Sequence, residues 1–215
     1  MSLVKIQGNA SGTGEFTIAA PNTNTNYTLT LPQATTTLVG TDATQTLTNK
    51  TINGGTIQSG TAVASTSGTS IDFTGIPSWV KRITLMLDGV SWNATVSPLI
   101  QLGDSGGLES TGYNAISGST DTGSGALAAI YSTGFGMFTG WGAATLISGS
   151  ITFNLLNAST NTWAAQGALF LDAGSDYCIT ITGTKSLSAT LDRISVTSSA
   201  AVTFDAGTIN ILYEG

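Results

Sequence analysis

From residue 71 onward the chain is a succession of short apolar runs, mostly alternating at period two and separated by turns rich in Gly, Ser and Asn. A period of two places successive side chains on opposite faces of a strand. The runs are 82–87, 99–102, 126–131, 135–138, 146–156, 163–171, 177–181, 191–196 and 204–213, with 69–74 as a first strand ahead of them. No window carries a 3.6-residue period bounded by helix caps. Regularly spaced strands joined by turns specify an all-β protein, and the expected architecture is an antiparallel, jelly-roll-like β-sandwich. Composition agrees: 40% of residues are hydrophobic, so a core is available, while only 8% are charged, about a third of the usual share.

The front of the chain differs. Phe16 and Ile18 share one face, and Tyr27, Leu29 and Leu31 share another, with Thr28 and Thr30 opposite and Pro32 ending the run. Residues 3–7 form a weaker strand before the turn at 8–12. The following stretch, Gly40-Thr41-Asp42-Ala43-Thr44-Gln45-Thr46-Leu47-Thr48-Asn49-Lys50-Thr51-Ile52, is short-chained and polar, with Leu47 and Ile52 as aliphatic pegs. One copy of such a segment buries no core and leaves strand edges unpaired, whereas three copies wound together cover both. Residues 59–70 are nearly all Ser, Thr, Ala and Gly and mark the expected boundary. The expected organisation is an attachment and shaft segment over 1–65, trimeric and β-rich, followed by a sandwich tip over 66–215.

Residues 27–32, 37–40 and 40–52, read together, resemble the linking region of bacteriophage tail-fibre proteins, over roughly residues 15–57. A second stretch resembles the globular tips of the same family: Ile71-Asp72-Phe73-Thr74-Gly75-Ile76-Pro77, then 81–89, then Ile100-Gln101-Leu102-Gly103 and Thr111-Gly112-Tyr113. The resemblance implies a homotrimeric virion fibre that adheres to a bacterial host surface, its receptor a surface polysaccharide or lipopolysaccharide. It also implies attachment to other virion (tail) proteins through the N-terminal segment, and assembly in the bacterial host cytoplasm. The rival readings are a purely structural virion protein (head fibre, collar or capsid decoration) and an enzyme acting on surface glycans.

Charge narrows the partners. Lys5 and Lys50 cancel Glu15 and Asp42, so the net charge of −6 falls entirely on residues 71–215. An acidic tip repels phosphate backbones and anionic membranes, which argues against nucleic acid. No apolar run reaches the length of a membrane span, and the N-terminus lacks a signal-peptide pattern, so no membrane insertion is expected. Cys178, the single cysteine, is flanked by Tyr177 and Ile179 and is expected to be a core thiol.

Reactive constellations are sparse. Gly103-Asp104-Ser105-Gly106-Gly107 copies the surroundings of a serine-protease nucleophile, but the chain has no histidine to take the proton. It reads as a tight turn after 99–102. Paired carboxylates for glycan hydrolysis reduce to Asp104 with Glu109 and Asp172 with Asp176. Zinc lacks ligands, and 172–176 lacks the calcium-loop spacing, so neither metal nor cofactor is expected. Phe73, Phe138, Phe153, Phe170, Phe204 and Trp163 sit in apolar runs and are expected core. Trp92, Tyr113 and Trp141 sit in polar or Gly-rich loops, where a ring face can stack on a sugar. The candidate receptor-binding residues are therefore Tyr113, Asn114, Asp104, Glu109, Trp92 and Trp141. Counting strands outward from the shaft places loops 75–81 and 104–114 at the far end of the sandwich and Trp92 at the shaft end.

Overall fold

The computed structural model describes residues 11–14, 22–26, 56–120, 127–137, 140–143, 145–174 and 176–215. The strands expected at 3–7, 16–18 and 27–31, the linker 40–52 and Phe138 lie outside the described residues. The chain divides into two units, Met1–Lys50 and Thr51–Gly215. Every described strand belongs to the second.

Fourteen strands are described: β1 (Ile57–Ser59), β2 (Val63–Ala64), β3 (Ile71–Thr74), β4 (Arg82–Trp92), β5 (Pro98–Asp104), β6 (Gly107–Leu108), β7 (Tyr113–Thr120), β8 (Leu127–Tyr131), β9 (Phe135–Gly136), β10 (Leu146–Asn157), β11 (Thr162–Asp172), β12 (Asp176–Ser186), β13 (Leu191–Ser198) and β14 (Phe204–Glu214). They form a β-sandwich of two antiparallel sheets. The larger runs β1-β14-β4-β10-β11-β12-β7-β8, with β2 also on β14; the smaller runs β3-β13-β5-β6, with β9 on β5. The described strands cross between sheets at β2–β3, β3–β4, β4–β5, β6–β7, β8–β9, β9–β10, β12–β13 and β13–β14, while the meander β10-β11-β12 stays within the larger sheet.

The period-two reading explains the core. Ile83, Leu85 and Leu87 of β4, Ile147, Ile151 and Phe153 of β10, and Ile179 and Ile181 of β12 all face inward and are buried. They meet Ile100 and Leu102 of β5 and Ile194 and Val196 of β13, buried in the smaller sheet. Fully burying one such side chain contributes about 1.5–3 kcal/mol. The intervening residues, Thr84, Thr152, Gln166, Thr180, Thr182 and Asn114 among them, form the outer face of the larger sheet.

Four expectations are corrected. First, β1 and β2 lie ahead of the expected boundary at 65/66, yet they pair with β14. The sandwich therefore starts by Thr56, whose N–H and C=O both bond Gly215. Second, Tyr113 and Asn114, placed in the expected loop 104–114, open a strand that the expected runs do not include, β7, paired with both β12 and β8. Its inward positions are Tyr113, Ala115, Ser117 and Ser119, too small on average to announce a buried face.

Third, Cys178 is exposed. Ile179 and Ile181 occupy the inward phase of β12, so the alternation turns the thiol outward. Phe170 is reversed in the same way: Leu169 and Leu171 are buried, and the ring between them is 50% exposed. The folded, undenatured protein should take up one equivalent of a maleimide per chain. Labelling that requires denaturant would show that this face is covered.

Fourth, relative to the point where the chain enters the sandwich, the loops sit at the opposite ends from those expected. Loop 75–81 lies at the end where Thr56 meets Gly215: Lys81 N bonds Glu214 O, and Ile76 N bonds Asp192 O. The turn at 158–161 and the segment 105–112 share that end, because Asn154 registers with Arg82, and Lys185 with Tyr113. Trp92 and Asn93 lie at the other end, with Asn93 N bonded to Thr203 O. The cause is a single uncounted traverse. β1 and β2 run along β14 to the opposite end before β3 begins, which reverses every later assignment.

Candidate functional site

At the end where the chain enters the sandwich, the structure brings Asp104, Glu109 and Tyr113 together and adds two residues that sequence reasoning missed, Lys185 and Ser188. Asp104 ends β5, and its Oδ1 accepts the Gly106 N–H at 2.7 Å, closing the turn to β6 that the glycines predict. Gly107 sits at φ 133°, a conformation glycine adopts readily. The other Asp104 oxygen accepts the Ser188 hydroxyl. Glu109 takes the Ser188 N–H on one oxygen at 2.7 Å and the Lys185 ammonium on the other at 2.5 Å.

Lys185 is only 5% exposed. It occupies an inward position of β12, two places beyond Gly183 and in phase with Ile179 and Ile181. Its nitrogen lies 5.3 Å from the centroid of the Tyr113 ring, within cation–π range. The Tyr113 hydroxyl donates to Glu109 O at 2.9 Å and accepts the Leu102 N–H at 2.7 Å. Its ring stands edge-on to Phe135 at 5.2 Å. Burial drives the phenol far above its ordinary pKa.

Every chemically able group here is spent on a neighbour. The arrangement ties segments 105–112 and 187–190 together, and so closes the smaller sheet against the larger one. A glycosidase pair needs one carboxyl held protonated near neutrality. Here both are pushed the other way. The Ser188 hydroxyl and the Gly106 N–H lower the pKa of Asp104. For Glu109, burial acts upward as the largest single influence, but the Lys185 ammonium and Ser188 together outweigh it and the net shift is downward. Groups with depressed folded-state pKa values stabilise above their unfolded values and lose that contribution as pH falls through the folded ones. Thermal stability should therefore be flat from about pH 5.5 to 8, with no histidine to titrate there, and should fall below about pH 4. A melting temperature that drops between pH 8 and 5.5 would contradict this.

The other candidates do not join this cluster. Asn114 projects from the outer face of β7, opposite Thr184. Trp92 ends β4, is 1% exposed, and packs its ring 4.7 Å from that of Phe204. Trp141 is buried, bridges Val96, donates its indole N–H to Met137 O at 3.3 Å and meets Tyr177 edge-on at 5.0 Å. Stacking on a sugar needs an open ring face. Trp92, Tyr113 and Trp141 have none, and are corrected from receptor contacts to core and loop anchors.

Two regions of the surface hold unspent groups. The outer face of the larger sheet carries Phe170 beside Cys178, Tyr177 and Ala168 in a shallow apolar groove. Toward the β8 edge, Ile116 and Ile130 are also exposed. The second region is a cavity beside loop 75–81, floored by Ile76, Leu155 and Leu191 and walled by Trp163. Asp172 and Asp176, the remaining carboxylate pair, are partners in register across the β11–β12 turn, where Asp172 accepts the Gly174 N–H. Among the described residues no three His, Cys, Asp or Glu side chains converge as metal ligands would. No protein-family model, curated protein or solved structure matches the chain.

Proposed function

We propose that the chain is a bacteriophage fibre protein that adheres, as a homotrimer, to glycan on the surface of its bacterial host. One observation supports this above the others. The fibre-like wording of residues 15–57 stops where β1 begins at Ile57, so a segment suited to winding with its copies runs directly into a rigid sandwich. The second stretch of tip-like wording, 71–113, spans β3 to the start of β7. Asp104 and Glu109, the carboxylates best placed for glycan hydrolysis, are both held ionised and hydrogen-bonded, which favours binding over cleavage. In the mechanism, three copies present the same shallow sites side by side, and weak single contacts add through a high effective concentration. The front segment joins the fibre to other virion proteins.

Purified full-length protein should sediment at about 65 kDa, three times its 21.8 kDa. It should adsorb to host cells and leave the isolated surface polysaccharide at its original length. A monomer at micromolar concentration, or a trimer that adsorbs to no host surface, would overturn the reading, the second outcome in favour of a purely structural virion role. Shortened polymer would replace adhesion with catalysis.

A further inference from the structure

The cavity beside loop 75–81 contrasts with the Asp104–Glu109–Lys185 cluster a short distance away. In that cluster each polar group is engaged by another. In the cavity wall, the exposed Ser78, Lys81 and Thr190 and the half-buried Asn161 are open to solvent, and their side chains have no hydrogen bond or ion pair to any described residue. Trp163 also lines the wall; its indole nitrogen, like that of Trp92, is buried with no acceptor among the described residues.

The lining is also biased in charge. It contains one cation, Lys81, and no Asp or Glu, although the chain carries twelve acids against six bases. Asp192, adjacent in sequence to the lining residue Leu191, is paired with Arg193, and Glu214, whose backbone oxygen accepts the Lys81 N–H, is paired with Arg82. Lys81 only donates hydrogen bonds, and the hydroxyls of Ser78 and Thr190 can do so. A wall of this kind suits a ligand rich in acceptors and negatively charged. The floor of Ile76, Leu155 and Leu191 is apolar, as the C–H face of a pyranose ring requires. The cavity volume of about 90 Å³ is several times the roughly 10–15 Å³ that one water needs, enough for a carboxylate and part of a ring.

We propose that this cavity is a subsite for the carboxylate-bearing sugar of an acidic glycan, a uronic acid or its like. Lys81 pairs with the carboxylate, Thr190 donates to its oxygens, and the aliphatic floor takes the ring face. The proposal rests on the adhesion reading above and names its ligand class. A single subsite this small binds in the millimolar range, and trimeric presentation supplies the rest.

The test uses full-length ¹⁵N-labelled protein titrated with glucuronate, with glucose (ring without carboxylate) and with acetate (carboxylate without ring). The indole N–H resonance of the lining residue Trp163, assigned by its loss in Trp163→Phe, should shift and saturate with glucuronate. Glucose and acetate should each bind at least tenfold more weakly. Lys81→Met, at an exposed position whose backbone bond to Glu214 is retained, should weaken glucuronate binding at least tenfold, and Thr190→Val by several-fold, both with parental circular dichroism. No saturable shift, equal binding of glucose, or an unchanged affinity in Lys81→Met would overturn the subsite. Adsorption to cells separates the two claims. Adsorption that ignores Lys81→Met sinks the subsite and spares the adhesin. Glucuronate binding by a protein that adsorbs to no cell spares the subsite and sinks the adhesin.

Discussion

Replacing Trp92 with alanine should destabilise the sandwich by about 3–5 kcal/mol, the cost of deleting a buried aromatic from a core that closes only partly over the gap. Trp92 is 1% exposed and lies against Phe204, its partner in register on β14. β4 sits between β14 and β10 within the larger sheet, so no edge is free to relax into the space. A loss of this size is a large fraction of the roughly 5–15 kcal/mol that holds a domain folded. Trp92→Phe should behave differently. The indole N–H has no acceptor among the described residues, so phenylalanine removes an unpaired donor along with some volume, and the loss should stay below about 1.5 kcal/mol. Asn114→Ala, on the outer face, should change stability by no more than about 0.5 kcal/mol. Urea unfolding followed by circular dichroism measures all three. A Trp92→Ala protein with the parental midpoint would return this residue to the list of surface contacts.

Most of the sandwich is written plainly in the chain because its strands bury branched aliphatics at every second position. Several of those runs carry their own boundaries to within a residue or two: 191–196 was expected where β13 spans Leu191–Ser198, and 204–213 where β14 spans Phe204–Glu214, whereas 82–87 and 177–181 each stop five residues short of the ends of β4 and β12. β7 escaped for the complementary reason. Past Tyr113 its inward side chains are Ala115, Ser117 and Ser119, and Ser117 is wholly buried without an apolar signature. Trp92 escaped because β4 continues through Ser91, past bulges in its pairings with β10 and β14; such irregularities leave no mark on hydropathy.

The candidate site was legible in part. Asp104, Glu109 and Tyr113 were chosen for a loop and do cluster, but around a lysine 76 residues away from Glu109 in sequence. Lys185 did carry a signal, since the phase set by Ile179 and Ile181 turns it inward. The same phase places Cys178 outside, and applied strictly it would have placed both correctly. The cavity at Lys81 and Trp163 had no such signal. Its wall comes from three segments that only the crossing between sheets brings together.

The Lys185–Glu109 pair should respond unequally to loss of its two members. Glu109→Ala strands an ammonium that is 5% exposed between the Tyr113 ring and the inward face of β12. Removing one partner of a buried pair costs about 3–5 kcal/mol, because the remaining charge has neither water nor counter-ion. Lys185→Met keeps the stem's volume and leaves Glu109, which is 23% exposed, with the Ser188 N–H and access to water. Its loss should be smaller, about 1–2 kcal/mol. In the double variant Lys185→Met/Glu109→Gln no charge remains to be stranded, the Ser188 N–H keeps an acceptor, and the apolar stem packs against Tyr113. Its stability should lie within about 1 kcal/mol of the parent. The three values form a double-mutant cycle whose coupling term isolates the pair. They also decide what the cluster is for. Equal, small losses from both single variants, both vanishing in high salt, would make the pair a solvated rim contact with its charges free for a ligand. The unequal pattern assigns it to holding segments 105–112 and 187–190 together, and leaves Lys81, at the same end of the sandwich, as the lysine available to bind.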